Sequence, residues 1–167
     1  FVKPEAGYNP GAGSAKAKAV REPACEVNTG KMATMPTFWF YYIWAILVSA
    51  AGLALVSQAS GIASQVGTTV SDGNIATVVG LISIFNGIGR VIFGGLFDKK
   101  GYRFTMILDM IIFIVAALIL VLALVSGNFA FIVIGFVVGG LAYGGVTPTN
   151  SAIISDFFGR ENYSMNF

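Results

Sequence analysis

Long apolar stretches alternate with short polar connections along this chain. Four stretches, roughly 38–64, 75–97, 104–125 and 129–154, are nearly free of charge. Each exceeds the ~20 residues that a helix needs to cross a bilayer. Their length and continuity predict helices, not the short alternating segments of a β-barrel. Residues 1–37 are polar and interrupted by Pro4, Pro10, Pro23 and Pro36, with Gly7, Gly11 and Gly13 between them. Such a composition reads as a linker. The pattern therefore predicts an all-α, polytopic membrane protein, with a linker over 1–37 followed by a transmembrane bundle over 38–167.

The apolar stretches differ in what interrupts them. The first opens with Pro36-Thr37 as a helix entry and then Phe38, Trp39, Phe40, Tyr41, Tyr42 and Trp44. Trp and Tyr favour the headgroup level, so this cluster is either a membrane anchor or a stacking surface for substrate. Ser49, Gly52, Ser57, Gln58, Ser60 and Ser64 follow, as residues that let helices pack closely or that line an aqueous cavity. The second stretch carries Gly80, Gly87 and Gly94 at seven-residue spacing, continued by Gly101. That series predicts a stripe where another backbone can approach. The third is almost wholly aliphatic, facing lipid, and holds one charge, Asp109. Asp109 is either paired with a nearby cation or headgroup-level water, or coupled to protons. The fourth holds Gly135, Gly139, Gly140, Gly144 and Gly145, with Tyr143 among them and Pro148 after them. Pro148 predicts a bend or unwinding near 147–150, as a packing kink or beside a substrate.

Charge adds an orientation. Of the ten Lys and Arg residues, Lys3, Lys16, Lys18, Arg21 and Lys31 precede the first stretch, Lys99, Lys100 and Arg103 lie between the second and third, and Arg160 follows the fourth. The connections at 65–74 and 126–128 contain none. Basic flanks stay in the cytoplasm, which puts the N-terminal segment, the 98–103 loop and the C-terminal tail there. A plasma (inner) membrane location is expected.

Composition narrows the function. The 167 residues are 56% hydrophobic and 11% charged, against about 25% charged in an average soluble domain. His is absent and Cys25 is alone, so neither a disulfide framework nor a metal site is expected. No nucleophile–base set or phosphate loop is present, and no cofactor is implied. No basic cluster interleaved with aromatics suggests nucleic acid. The chain begins at Phe1 and stops at Phe167 in a polar segment, and both ends read as cuts.

Arg90 is the exceptional cation. It lies eight residues before Asp98, or about 12 Å into a hydrocarbon core of roughly 30 Å. A cation at that depth costs at least ~2.5–3.5 kcal/mol. Either a resident acid offsets this, or Arg90 faces a water-filled cavity and waits for an anion. Guanidinium matches a carboxylate bidentately, so the natural ligand is a carboxylate. Asn86, one turn away, adds a second donor or holds the guanidinium.

Between the second and third stretches, Gly94, Asp98, Lys99, Gly101 and Arg103 form the spacing G-x-x-x-D-K-x-G-x-R. This resembles the signature loop of the major facilitator superfamily, with Tyr102 standing where a basic residue is common. The longer strings "LISIFNGIGRVIFGGLFDKKGYR" and "GLAYGGVTPTNSAIISDFFGRENYSMNF" are similar to oxalate/formate antiporter-type carriers, relatives of the monocarboxylate transporters. The resemblance implies helices seven to ten of a twelve-helix fold, completed by the remaining helices of the same carrier. It implies substrate binding by Arg90, which matches a helix-eight Arg of the family, with Asn86 and Tyr143 beside it. Asn86 stands where monocarboxylate carriers often have an acid, which favours exchange or another coupling route. Gly94, Asp98, Lys99, Gly101 and Arg103 become a conformational-switch loop.

The expected function is secondary transport of small organic anions, mono- or dicarboxylates such as oxalate and formate, by alternating access. A tetraspan scaffold using its glycine faces for assembly is the alternative.

Overall fold

The computed structural model describes residues 26–167, and Lys3, Lys16, Lys18, Arg21 and Cys25 lie outside them. The architecture is helical: α1 (Thr29–Ala33), α2 (Pro36–Val66), α3 (Asp72–Lys100), α4 (Tyr102–Ser126), α5 (Phe129–Phe158) and α6 (Tyr163–Asn166). α2 to α5 are the four helices long and apolar enough to cross a membrane. The four apolar stretches lie within them, and each helix runs a few residues further at one or both ends.

Local chemistry sets the helix ends. Pro36 occupies the first turn of α2, where its missing N–H removes no helical hydrogen bond. Asn128 caps α5 by accepting from the Ala130 N–H at 3.0 Å. α4 ends at Gly127 in the left-handed conformation, φ 65°. The start of α2, the α3–α4 turn and the end of α5 share one end of the bundle, since Thr37, Tyr102 and Phe158 line one groove. Lys99, Lys100 and Arg103 belong to that turn.

Residues 26–33, from the end of the expected linker, dock against the chain's last segment. The Glu26 carboxylate accepts from the backbone N–H groups of Arg160 (3.1 Å) and Glu161 (3.2 Å). The Val27 N–H donates to the Phe158 carbonyl at 3.1 Å, and the Asn166 side chain donates to the Val27 carbonyl at 3.1 Å.

α5 is the central helix. It packs against α2, α3 and α4, which touch each other far less. The reason is its run of small residues. A Cβ on Gly140 would lie 2.8 Å from the Ile82 carbonyl oxygen, and one on Gly144 would overlap the Asn86 carbonyl oxygen and sit 2.9 Å from the Gly89 Cα. On α3, a Cβ on Gly89 would overlap the Leu141 carbonyl oxygen. The two backbones are therefore in direct contact, as small-residue interfaces in membranes allow.

Two expectations are corrected here. Among the described residues the series Gly80, Gly87, Gly94 is not the close-packing stripe: nothing lies within 4 Å of a Cβ on Gly80 or Gly87, and Gly94 meets only Pro148 of α5, at 3.9 Å. At about 100° per residue Gly80 and Gly87 lie on the side of α3 opposite Gly89, which points at α5. Nor does Pro148 unwind its helix. α5 is continuous from Phe129 to Phe158.

Gly144→Ala is expected to destabilise the fold by about 1–3 kcal/mol, because the new methyl meets backbone that cannot rotate away. Gly80→Ala, with open space around it, should stay within about 0.5 kcal/mol of the parent. Thermal melting of the two purified variants in detergent checks the contrast; equal melting temperatures would discard the α3–α5 crossing.

Candidate functional site

The site grows from the α3–α5 crossing. A Cβ on Gly144 would lie 3.0 Å from the Arg90 backbone nitrogen, so the turn from Asn86 to Arg90 is seated directly on α5. The backbone is fixed there while the Arg90 side chain projects outward and is exposed. Its Nε donates to Asn86 Oδ1 at 3.2 Å, the i, i+4 contact of a shared helix face. Among the described residues no carboxylate pairs with the guanidinium. Its terminal N–H groups are left to solvent or to a ligand, and they form the fork that fits an anion with two oxygens.

The surroundings of Arg90 are small. Going round α3 from the crossing, Asn86, Arg90, Ser83, Gly94, Gly87 and Gly80 succeed one another at about 100° per residue. Ser83, Gly87 and Gly80 are exposed. Beyond them the exposed surface turns bulky, with Val91, Ile84 and Ile88. Gly80 and Gly87 thus do not pack α3 against another described helix. They leave an open strip beside a charge.

Tyr143 lies elsewhere. Its ring sits over Gly52 of α2 and packs with Trp44, Val48 and Val146. Gly144 faces α3, and its neighbour Tyr143 faces α2. The structure brings Asn86 and Arg90 together and sets Tyr143 on another side of α5.

The loop at 98–103, expected to act as a switch, is a tight turn. Gly101 ends α3 and starts α4 with φ 81° and ψ 177°, a conformation essentially reserved for glycine. Its carbonyl accepts from the Thr105 hydroxyl at 2.9 Å. Asp98, Lys99, Lys100 and Arg103 are exposed around it, and Gly94 lies under Pro148 one turn before Asp98. Tyr102, the departure from the signature, anchors the loop. Its ring stands edge-on to Phe157 of α5 at 4.7 Å, and its hydroxyl accepts from Arg103 Nε at 2.9 Å. The loop is thereby joined to the end of α5.

The Major Facilitator Superfamily model matches residues 2–166. The chain belongs to that superfamily. Its members are transporters, not enzymes, which places this multi-pass membrane protein among transport proteins. Searches of curated proteins and of solved structures found no match.

Sequence reasoning missed several polar groups. The aromatic cluster opening α2 divides: Trp39 and Phe40 are exposed, Tyr41 donates to Asn150 Oδ1 at 3.2 Å, and Trp44 is buried. Among the described residues Asp109 has no cation beside it, so the expected pairing with a cation is not found there: its side chain turns into the bundle, is 0% exposed, and leaves both oxygens without a hydrogen-bond partner. A helical wheel drawn against the α5-facing positions of α4 would have found it.

Gly101→Ala is expected to cost about 1–3 kcal/mol, because an L residue must hold φ near 81°. Thermal unfolding of that variant measures it. A variant as stable as the parent would show that the turn relaxes without glycine.

Proposed function

We propose that the chain forms part of a secondary active transporter for small organic anions, mono- or dicarboxylates of the oxalate and formate class. Arg90 binds the carboxylate, Asn86 orients the guanidinium, and the two halves of the complete carrier alternate around the bound anion. One observation carries this reading: a guanidinium on a rigid backbone, without an acid partner among the described residues, beside a strip of Gly and Ser. A buried cation with a resident carboxylate would be structural. An exposed one in a small-residue strip needs water or a ligand. On α2, Ser57, Ser60 and Ser64 are likewise exposed at helical spacing, as on a wet face. Tyr143 serves as a wall between α5 and α2, not as a contact to the anion.

The remaining helices of the carrier close the cavity, and the chain sits in the plasma (inner) membrane. By the positive-inside rule, the end bearing Lys31, Lys99, Lys100, Arg103 and Arg160 is cytoplasmic. The loop at 98–103 serves as the conformational switch, with Tyr102 transmitting its movement to α5.

Arg90→Lys keeps the charge and removes the planar fork. Uptake of radiolabelled carboxylate by the complete carrier in liposomes is expected to fall about 10- to 100-fold, the worth of one charge-assisted hydrogen-bond pair. Unchanged uptake at equal protein amount would take Arg90 out of the site. Asn86→Asp should give the guanidinium a carboxylate of its own. Uptake should then drop at neutral pH and recover on acidification, when the new acid takes a proton and releases Arg90. A pH profile identical to the parent's would show that Asn86 does not hold Arg90.

A further inference from the structure

The residues just before α2 are built into the bundle more firmly than a linker requires. Val27 and Met32 are each 3% exposed. They share one apolar cluster with Ile154 and Phe158 of α5, and Phe38 of α2 packs against it. The Phe38 ring stands edge-on to Phe158 at 6.0 Å. The last turn of α5 and the first turn of α2 thus share their packing with two side chains that belong to neither helix.

Polar bonds fasten the segment in both directions. Toward α5 they take up groups that a helix end leaves over. The chain leaves α5 through Gly159 at φ 99°, and the next two N–H groups, of Arg160 and Glu161, donate to the two oxygens of Glu26. The Phe158 carbonyl accepts from the Val27 N–H. The Thr29 hydroxyl donates to Asn166 Oδ1 at 2.9 Å, and Tyr163 of the same short α6 is bonded back to Ser151 of α5 at 2.7 Å. Toward α2, Asn28 caps α1 by accepting from the Lys31 N–H at 3.0 Å. The indole N–H of Trp39, at the start of α2, donates to the Ala33 carbonyl of α1 at 2.9 Å.

These contacts close a circuit. It runs from the end of α5 through Glu26 and Val27 to α1, through Trp39 into α2, and back to α5 through Phe38 and Phe158. A segment that only led into α2 would need neither a buried apolar plug nor a carboxylate held by the far helix end. The chain at Glu26 is attached to the end of α5 before it enters α2.

We infer that residues 26–35 are a strap, which ties the entry of α2 to the exit of α5 so that the two helix ends hold or loosen as one unit. The strap stands on residues separate from Arg90 and Asn86 and needs no substrate.

Hydrogen–deuterium exchange of the complete carrier in lipid vesicles, without any substrate, tests it. Val27→Asp puts a charge into the apolar plug. Exchange is expected to become at least about 10-fold faster both at the last turn of α5 with Arg160 and Glu161 and at the first two turns of α2, while the α3–α5 crossing keeps the parent's rate. Glu26→Ala removes the acceptor at the surface and leaves the plug intact, so it decides the matter if Val27→Asp fails to fold. It is expected to speed exchange roughly 3- to 10-fold at the same two ends. A rise at one end with the parent's rate at the other would overturn the strap, as would the parent's rate at both. So would a rise spread over the whole bundle in Glu26→Ala, which would mark a general loss of stability.

Discussion

Between Gly144 and Asn86 the backbones of α5 and α3 are in direct contact, and the position of the turn from Asn86 to Arg90 depends on that contact. Helices in a bilayer gain little from burying apolar side chains, because lipid is as apolar as the bundle interior. Close approach of backbones supplies the packing instead. Gly89, Gly140 and Gly144 have no side chains to hold α3 and α5 apart. The turn carrying Asn86 and Arg90 is laid on this crossing, so the guanidinium starts from a fixed point. A binding group on a rigid element loses less entropy when its ligand arrives than one on a loop.

The bundle is asymmetric about α5. On one side α3 is held backbone to backbone. On the other, α2 and α4 meet α5 through side chains: the Tyr143 ring over Gly52, and Leu120 against Gly135. Contact between α2 and α4 is slight, and the groove between them is apolar. The backbone-packed side carries Arg90, and Asp109 is buried on α4. The basic loop joins the two, since it connects α3 to α4 through a glycine-only turn and is tied to the end of α5 by Tyr102 and Phe157.

Hydropathy alone located the four helices, because each must satisfy its backbone internally and cover the bilayer with apolar residues. The tight turn at Gly101 and the helix entry at Pro36 were equally legible, since each is a local constraint written in one residue. What was not legible is which face of a helix meets which neighbour. The regular series Gly80, Gly87, Gly94 looked like the contact stripe, yet the contact is made by Gly89, outside the series. Spacing reports that a face is small; it does not report that a partner lies across from it. Tyr102 read as a defect in the loop signature, and its ring turns out to bind the loop to α5. Asp109 and Thr149 carry no local mark of burial, because that depends on how neighbouring helices pack against them.

Arg90 and Asp109 show how one bundle treats two buried-sequence charges by opposite physical routes. Both lie within apolar stretches, and both would be costly as isolated ions in hydrocarbon. Arg90 cannot lose its proton, and it stands exposed beside a strip of glycine and serine instead of being buried. Asp109 can be neutralised, so it tolerates burial that the guanidinium could not. The chemistry of each group therefore decides its address: the permanent cation on the exposed face of α3, the carboxyl group buried on α4.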